Sequence, residues 1–364
     1  MPTVLLTGGS GFIGSHTCLS LLEFGYNVIV IDSNINSKKV VLNRVFEIYQ
    51  RSKKNKPNQL FFIEGDIRDY ELLDNIFKKA KSKKIAIDAV IHLAGLKAVG
   101  ESIKNPLEYW DINVGGSISL FRAMQKNNCH TIVFSSSATI YGAQKEAFSI
   151  KESAEVKPTN PYGETKEVIE KILKNIFEAK KSKWKIANLR YFNPIGAHSS
   201  GLIGEEPNGI PNNIFPYICQ VASGDLKKLE IFGNDWPTED GTCKRDYIHI
   251  MDLADAHRCT LEHLLNKNSQ LINLNIGTGI GTSVLELVKT FIEVNNCDFE
   301  YEFGNRRSGD NANVVANNEL ALKTLNWKPQ RDIKDMCRDG WLWQSNRRTC
   351  FQNKDEVNKV QTLS

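Results

Sequence analysis

The stretch TVLLTGGSGFIG, residues 3–14, decides the fold of this chain. Its first part, Thr3–Thr7, is the short apolar run expected of a buried strand. Gly8, Gly11 and Gly14 follow with the spacing GxxGxxG and open a helical pattern. Without side chains, such a turn is tight and lets a phosphate approach backbone N–H groups at the start of the helix.

Short apolar runs alternate with helical patterns through the first half of the chain, as in a parallel sheet covered on both faces. The helical patterns include Phe12–Glu23 and Pro106–Gln125. The sequence therefore predicts an α/β fold, a Rossmann-type doubly wound parallel sheet with right-handed crossovers. The predicted strands are Thr3–Thr7, Asn27–Asp32, Leu60–Asp66, Asp88–Ala94, Thr131–Ser137 and Trp184–Phe192.

The rhythm changes after Asn193, where a Gly-, Pro- and Asn-rich segment begins. We assign residues 1–193 to the sheet domain and 194–345 to a smaller mixed α/β C-terminal substrate lobe. Residues 246–280 are predicted to return in part to the sheet domain. Residues 346–364 form a polar tail with little to bury.

Composition excludes several classes of function. The net charge of +4 over 364 residues is slight, so no nucleic-acid partner is expected. The eight cysteines form no CxxC pair or Cys/His cluster, which speaks against a metal site and favours a reducing compartment. No apolar run approaches the roughly 18 residues of a membrane span, and no signal peptide precedes the first strand. The expectation is a cytoplasmic protein without membrane contact.

Polar and small residues stand at the carboxyl ends of the predicted strands, where open α/β sheets bind ligands. Asp32 ends the second strand, where a carboxylate can bind adenosine ribose hydroxyls and repel a 2′-phosphate. Asp66 can reach the adenine amino group, and Ala94 with Gly95 allows close packing against a cofactor. Together with the glycine-rich turn, these residues predict an NAD site.

A second group of residues indicates catalysis at the same edge of the sheet. Asn160 and Pro161 begin a helix in which Tyr162 and Lys166 share one face. A tyrosine has a pKa near 10, and lowering it to near 7 takes roughly 4 kcal/mol. The lysine ammonium and the positive nicotinamide ring of NAD⁺ are expected to supply this. Ser137, at the end of the fifth strand, can bind a sugar hydroxyl and relay its proton.

The motifs TGGSGFIG, SSSATIYG and PYGETK resemble those of the extended short-chain dehydrogenase/reductase superfamily. LAGLKAVGES, LRYFNPIGAH, GIPNN, IFGNDWPTEDGT, RDYIHIMDLADAH and NLNIGTGIGTSVLE are similar to the UDP-glucose 4-epimerase family within it, over residues 1 to about 345. The resemblance implies reversible 4-epimerisation of UDP-galactose and UDP-glucose through a 4-keto intermediate. It implies tightly held NAD that is regenerated each cycle, a small-molecule UDP-sugar substrate, and a homodimer.

The resemblance also implies residue roles, with Tyr162 as base, assisted by Ser137 and Lys166. Residues implied to contact NAD are Gly8, Gly11, Phe12, Ile13, Gly14, Asp32, Ser33, Asn36, Ser37, Asp66, Ile67, Leu93, Ala94, Gly95, Lys97, Ser135, Tyr162, Lys166, Tyr191 and Phe192. Residues implied to contact the UDP-sugar are Lys97, Ser137, Tyr162, Asn193, Asn213, Ile214, Phe232, Arg245, Arg307, Asp310 and Val314.

Two positions depart from the family pattern. Ser33 stands where members often carry Asn, and a hydroxyl can take much of that role. Val314 stands where restricted members carry a bulky Tyr, so we predict that UDP-GlcNAc and UDP-GalNAc are also interconverted.

Two other functions remain open on the sequence. One is another nucleotide-sugar enzyme, a dehydratase or decarboxylase, although SSSATIYG lacks the acid that a dehydratase needs beside Ser137. The other is a non-catalytic NAD-binding regulator, which would have no need of Tyr162 and Lys166.

Overall fold

The computed structural model describes residues 1–52, 59–143, 149–206, 211, 213–307, 310–350 and 360–363, with side chains up to residue 347 in the last long helix. Most of the basic tract 51–56 and much of the predicted tail lie outside these residues.

The described residues form strands and helices that alternate through the first half of the chain. The strands are β1 Thr3–Thr7, β2 Asn27–Asp32, β3 Leu60–Glu64, β4 Ile87–His92, β5 Thr131–Ser137, β6 Lys185–Tyr191, β7 Asn193–Ile195, β8 Leu229–Phe232, β9 Lys244–Arg245, β10 Tyr247–His249, β11 Gln270–Ile276, β12 Thr282–Ser283, β13 Tyr301–Gly304, β14 Asn313–Val314 and β15 Gln361–Thr362. The α-helices are α1 Phe12–Glu23, α2 Val40–Arg51, α3 Tyr70–Ser82, α4 Val99–Lys104, α5 Pro106–Tyr109, α6 Gly116–Lys126, α7 Pro161–Ala179, α8 Ile214–Ala222, α9 Ile250–Asn266, α10 Val284–Asn295, α11 Glu319–Leu325 and α12 Ile333–Cys350.

The large sheet has the order β11-β6-β5-β4-β1-β2-β3-β15, and its strands pair in parallel. The order reverses between β1 and β4, which makes the carboxyl ends of these strands the natural ligand crevice. The predicted α/β fold class is confirmed. Strands β1, β2 and β5 have the predicted bounds.

Alternate residues of the strands pack into two separate layers. Val4 and Leu6 of β1 join the core beneath α1, α2 and α9, whereas Leu5 joins the core beneath α3, α6 and α7. This alternation explains why the strands read as continuous apolar runs, because both faces are covered.

The C-terminal half builds a smaller lobe from short strands and helices. Strand β9 pairs with β12 and β14, and β8 pairs with β13. Helices α8, α10 and α12 share its apolar core, which includes Phe215, Phe291 and Met336. Within residues 246–280, helix α9 packs against α1 and strand β11 pairs with β6 of the large sheet.

Two regions differ from the sequence interpretation. The single helix expected over Pro106–Gln125 is interrupted by a π-helical turn, Trp110–Gly115. The end of the chain is not simply a loose polar tail, because β15 pairs with β3 and Val360 and Leu363 are buried. These two apolar residues give the last segment something to bury. Among the described residues, no helix is long and apolar enough to cross a membrane.

Candidate active site

Tyr162 lies in the first turn of α7, beside the end of strand β5. The Asn160 side chain accepts a hydrogen bond from the Gly163 N–H and Pro161 occupies the first turn, as expected of a helix start. Tyr162 is 8% exposed and hydrogen-bonds to Ser137, the last residue of β5. The structure thus brings together the two residues that the sequence placed 25 positions apart.

Lys166 lies one turn further along α7 and is fully enclosed. Its Nζ donates to the Ser135 carbonyl at 2.8 Å and lies 5.8 Å from the Tyr162 ring centroid. Burial lowers the pKa of Lys166 to about 7. The ammonium is therefore held close to its tyrosine, but its charge is not secured by any carboxylate that contacts it among the described residues.

Opposing effects act on the pKa of Tyr162. Burial raises the pKa of Tyr162, while the hydrogen bond with Ser137 and the charge of Lys97 act in the opposite direction. In the protein alone, desolvation of the phenolate outweighs these two groups, whereas the sequence interpretation relied on Lys166 and on the nicotinamide charge of NAD⁺ together. The lowered pKa with NAD⁺ bound stays a prediction.

The glycine-rich turn has the shape needed for close approach of a pyrophosphate. Gly8 has a φ of +71°, and a Cβ there would lie 2.7 Å from the backbone N of Ala94. A Cβ at Gly14 would lie 2.2 Å from the Gly8 carbonyl oxygen. Gly11 precedes the first residues of α1, Phe12 and Ile13, so free helical N–H groups face this turn.

Asp32 ends β2 and fixes the loops on either side of it. One of its oxygens accepts from the Ser10 N–H at 2.9 Å, and the other accepts from Asn34 N–H at 2.9 Å and Ser37 Oγ at 2.8 Å. Ser33 and Asn36 stand exposed in the same loop. The carboxylate is thus held at the edge of the crevice, beside the glycine-rich turn.

The next two strand ends contribute in different ways. Arg68 binds both oxygens of Asp66 and lowers the pKa of that carboxyl group. Ile67 is buried and packs against Gly116, where a Cβ would lie 2.6 Å from the Ile67 side chain. After β4, the N–H groups of Leu93 and Ala94 donate to Thr7 Oγ1, and Gly95 follows with a φ of +155°.

Lys97 connects this edge to the second lobe. Its Nζ lies 2.9 Å from Glu205, and the charge of Glu205 raises the pKa of Lys97. The Lys97 side chain is 63% exposed, yet its charge acts on Tyr162. Lys97 is therefore oriented towards the crevice by a carboxylate that sequence reasoning missed.

Residues predicted to bind the diphosphate and ribose form one group in the second lobe. Arg245 and Asp310 are ion-paired at 3.2 Å, and Arg245 also donates to the Asn311 carbonyl at 2.8 Å. Val314 pairs with Arg245 in the β14–β9 ladder. The Asn193 N–H donates to the carbonyl of Asp246, the residue after β9, and β7 pairs with β10.

Phe232 and Arg307 form a second pair, with the guanidinium 4.0 Å from the ring centroid. Burial raises the pKa of Cys243, and the charges of Arg245, Asp310 and Arg307 also influence it. Asn213 precedes α8, and Ile214 packs against the core of the second lobe.

Aromatic residues line the junction of the two halves. Val314 packs in one cluster with Phe192, which follows β6, and with Ile140 and Tyr141, which follow β5. Tyr191 ends β6 and hydrogen-bonds to Ser135, and its pKa is raised by burial and by the nearby Tyr162. Val314 thus connects the Arg245 ladder to the residues that follow Ser137.

Sequence reasoning also missed two residues that support the candidate catalytic group. The Thr139 hydroxyl donates a hydrogen bond to Ser137 Oγ at 2.9 Å. Asn113, in the π-helical turn, binds the Leu96 backbone and donates to Thr165 Oγ1 at 3.1 Å. A polar residue within the apolar pattern of Pro106–Gln125 was the available signal for Asn113.

A parallel sheet with a glycine-rich turn after its first strand, and with a buried tyrosine and lysine four residues apart beside a serine at one strand end, defines an enzyme of the extended short-chain dehydrogenase/reductase class. Comparisons with known proteins identify the group within that class. The family model described as GDP-mannose 4,6 dehydratase matches residues 5–340. The UDP-glucose 4-epimerase of Bacillus subtilis (strain 168) is 48% identical over 342 residues, which cover 94% of this chain and 96% of the relative.

Solved structures agree with the sequence comparison. UDP-glucose 4-epimerase from Stenotrophomonas maltophila, with bound NAD and formylated UDP-arabinopyranose, is 44% identical with a TM-score of 0.90, covering 96% of this chain and 99% of that one. The Bifidobacterium longum enzyme, in complex with NAD⁺ and UDP, is 44% identical with a TM-score of 0.87, covering 95% and 99%. The chain belongs to the UDP-glucose 4-epimerase family.

Proposed function

We propose that this protein catalyses the NAD-dependent, reversible 4-epimerisation of UDP-galactose and UDP-glucose through a 4-keto intermediate. The observation that carries this proposal is the buried Tyr162–Ser137–Lys166 group beside the carboxyl end of strand β5. Relatives of this family with bound NAD and a UDP-sugar support it.

The residues of the first half fit an NAD molecule. The turn at Gly8 and Gly14 has no room for a Cβ, so backbone N–H groups can contact a pyrophosphate directly. Ser10 has a buried hydroxyl without a partner among the described residues, in the same turn. Asp32 is placed to bind ribose hydroxyls. When bound, NAD⁺ accepts a hydride from sugar C4 and returns it to the opposite face.

The chain's own residues manage the proton and the position of the sugar. Tyr162, as phenolate, takes the proton of the sugar 4-hydroxyl, and Ser137 hydrogen-bonds the same hydroxyl. Lys166 and the nicotinamide charge stabilise the phenolate against the desolvation that raises the Tyr162 pKa. After the keto group has turned over in the pocket, Tyr162 gives its proton back as the second epimer forms.

The second lobe is proposed to hold the UDP group. Arg245 and Arg307 suit the diphosphate oxygens, because guanidinium groups bind such oxygens with two N–H donors. Phe232 can pack on uracil, and Asp310 can accept ribose hydroxyls. Asn193 and Asn213 offer amide groups at the edges of the same crevice.

The direct test is to incubate the purified protein with UDP-galactose, without added cofactor, and to measure UDP-glucose. We expect conversion, with bound NAD released on denaturing the protein. Failure to convert UDP-galactose when NAD is supplied in excess would overturn the proposal.

A dehydratase reaction is less well supported, although the matching family model takes its name from one. Elimination of water needs an additional acid/base pair, and the residues after Ser137 are Ala138 and Thr139. Glu170 is the carboxylate bound to neighbouring Ser136, and Arg190 already pairs with it. It is committed to a structural ion pair.

The substrate range is proposed to include UDP-GlcNAc and UDP-GalNAc. Val314 is partly buried beside Phe192, where a larger side chain would take up space near the sugar. We expect measurable kcat/KM on the N-acetylated pair. A loss of several orders of magnitude relative to UDP-galactose would overturn this part of the proposal.

A cytoplasmic homodimer completes the proposal. Leu107 is 82% exposed and Ile103 63% exposed, on adjacent helices α5 and α4 that pack beside α7. A second copy could cover these apolar side chains. Sedimentation equilibrium should give a dimer, and Leu107→Lys should shift it towards monomer.

A further inference from the structure

A buried ion pair lies directly behind the catalytic group. Glu170, one turn beyond Lys166 on α7, binds Arg190 of β6 through both carboxylate oxygens, at 3.0 and 2.6 Å. Glu170 also accepts from the Ser136 hydroxyl at 2.5 Å, next to catalytic Ser137. The Arg190 and Glu170 side chains are only 5% and 9% exposed. One carboxylate thus joins the helix that carries Tyr162 to two strands of the sheet.

Arg190 continues the network towards the second lobe. Its Nη1 donates to the Tyr141 hydroxyl and to the Glu152 carbonyl, each at 3.0 Å. Tyr141 in turn donates to Asn275 of β11 at 2.7 Å. The Asn275 side chain donates to the carbonyl of Ile150 at 2.7 Å.

Ile150 connects the network to the wall of the sugar pocket. Its N–H donates to the Val315 carbonyl, and its carbonyl accepts from the Asn317 N–H, both at 2.8 Å. Val314, predicted to face the sugar, is the neighbour of Val315. An unbroken chain of buried polar contacts therefore runs from the Tyr162 helix to the segment that carries Val314.

We propose that Glu170, Arg190 and Tyr141 are positioning residues that hold the Tyr162–Lys166 helix at a fixed distance from the wall at Val314. None of the three needs to touch substrate for this role. The inference rests on the proposed reaction, because that reaction needs sugar C4 placed against Tyr162 twice in each cycle. Small misplacements of reacting groups are costly in rate, and a fully satisfied buried network resists them.

The test uses two matched hydroxyl deletions. Tyr141→Phe keeps the ring, whose centroid lies 5.2 Å from the Arg190 guanidinium carbon, and removes only the oxygen that links Arg190 to Asn275. Tyr247→Phe is the control, because its buried hydroxyl has no hydrogen-bond partner among the described residues. Both enzymes are assayed with NAD bound, by kcat and KM for UDP-galactose.

For Tyr141→Phe we expect kcat to fall about tenfold with KM nearly unchanged, the scale of one lost net hydrogen bond. Tyr247→Phe should keep the wild-type kcat. Equal kcat in wild type and Tyr141→Phe would overturn the inference. An inactive wild type would instead overturn the proposed function, because the inference concerns only the ratio of variant to wild type.

A second measurement does not depend on activity. Amide hydrogen exchange should become faster in peptides covering 149–152 and 313–318 in Tyr141→Phe, and remain unchanged in Tyr247→Phe. Unchanged exchange in both segments would contradict a connection through Tyr141.

Glu170→Gln tests the ion pair, and Asp74→Asn controls for loss of stability alone. Asp74 is a buried carboxylate between α3 and α6 that pairs with Lys78 and Lys126. Both variants should lower the melting temperature, but only Glu170→Gln should lower kcat per NAD-containing protomer, by about tenfold or more. A normal kcat in folded Glu170→Gln would overturn the positioning role.

Discussion

The two halves of the crevice are built differently. Tyr162, Ser137 and Lys166 lie on a long helix and a central strand, and all three are buried. Arg245, on a strand of two residues, and Asp310, in a loop, retain 15% and 31% of their side-chain exposure. The proposed catalytic groups are held by the sheet core, whereas the proposed nucleotide-binding residues contact one another.

This difference suggests that chemistry is pre-organised and that nucleotide binding requires exchange of partners. If UDP binds as proposed, the diphosphate competes with Asp310 for the Arg245 guanidinium. Uracil likewise competes with Arg307 for the face of the Phe232 ring. The catalytic side needs only a positive charge beside Tyr162. We therefore expect substitutions in the first half to change kcat and those in the second to change KM.

The largest effect is expected for Tyr162→Phe. Without the phenolic oxygen, the sugar 4-hydroxyl has no base, so kcat should fall by about 10³-fold. Bound NAD and the affinity for UDP should stay near wild type, measured by NAD content and by calorimetry. A variant that turns over normally would assign the base elsewhere.

Lys166→Met should lower kcat by about 10²-fold, because one of the two charges that stabilise the phenolate is lost. The substitution should also stabilise the cofactor-free protein. The pKa of Lys166 falls from 10.5 to about 7 on folding, so its charge costs up to roughly 5 kcal/mol below pH 7.

The size of that stability difference should depend on pH. Below about pH 7 the lysine is charged in both states and the cost is complete; it declines as pH rises towards 10.5, where the lysine is neutral in both. Urea unfolding of the variant and wild type at pH 6 and pH 9 measures this. If Lys166→Met were less stable than wild type at pH 6, a destabilising buried ammonium at Lys166 would be contradicted.

Arg245→Leu should act on binding. Loss of a charged hydrogen-bond donor to the diphosphate should raise KM for UDP-galactose by about 30-fold, with kcat within about threefold of wild type. Steady-state kinetics at saturating substrate separate the two constants. A large fall in kcat with normal KM would erase the distinction between the two halves.

Arg307→Leu should give a smaller increase in KM, about fivefold to tenfold, since this group is the more exposed of the two arginines. Its neighbour provides a matched control. Arg306 stacks on Trp236 at the same 4.0 Å distance and pairs with Asp235. Arg306→Leu should leave KM unchanged. If both substitutions raised KM equally, the effect would come from the loss of aromatic stacking and not from the loss of a diphosphate contact.

The sheet was predictable because its strands are covered on both faces and read as short apolar runs. Because the carboxyl ends of parallel strands meet at one edge, the sequence alone predicts that Asp32, Ser137 and the helix of Tyr162 lie at the same edge of the sheet. Helix α7 was equally clear, because Asn160 and Pro161 mark its start.

What could not be predicted depends on contacts between distant segments. Glu170 and Arg190 are 20 residues apart on different elements, and Lys97 meets Glu205 across 108 residues. The direction in which burial shifts the pKa of Tyr162 was also out of reach, because it depends on how deeply the side chain is enclosed. Strand β15 was missed since two apolar residues are too weak a pattern.

The most direct test is the position of sugar oxygen O4 in a crystal structure with NAD and UDP-glucose. We predict that O4 lies within about 3 Å of the Tyr162 hydroxyl oxygen, with Lys166 still bound to the Ser135 carbonyl. If the hexose instead lies away from Tyr162, with no path for a proton between them, the proposed catalysis is contradicted.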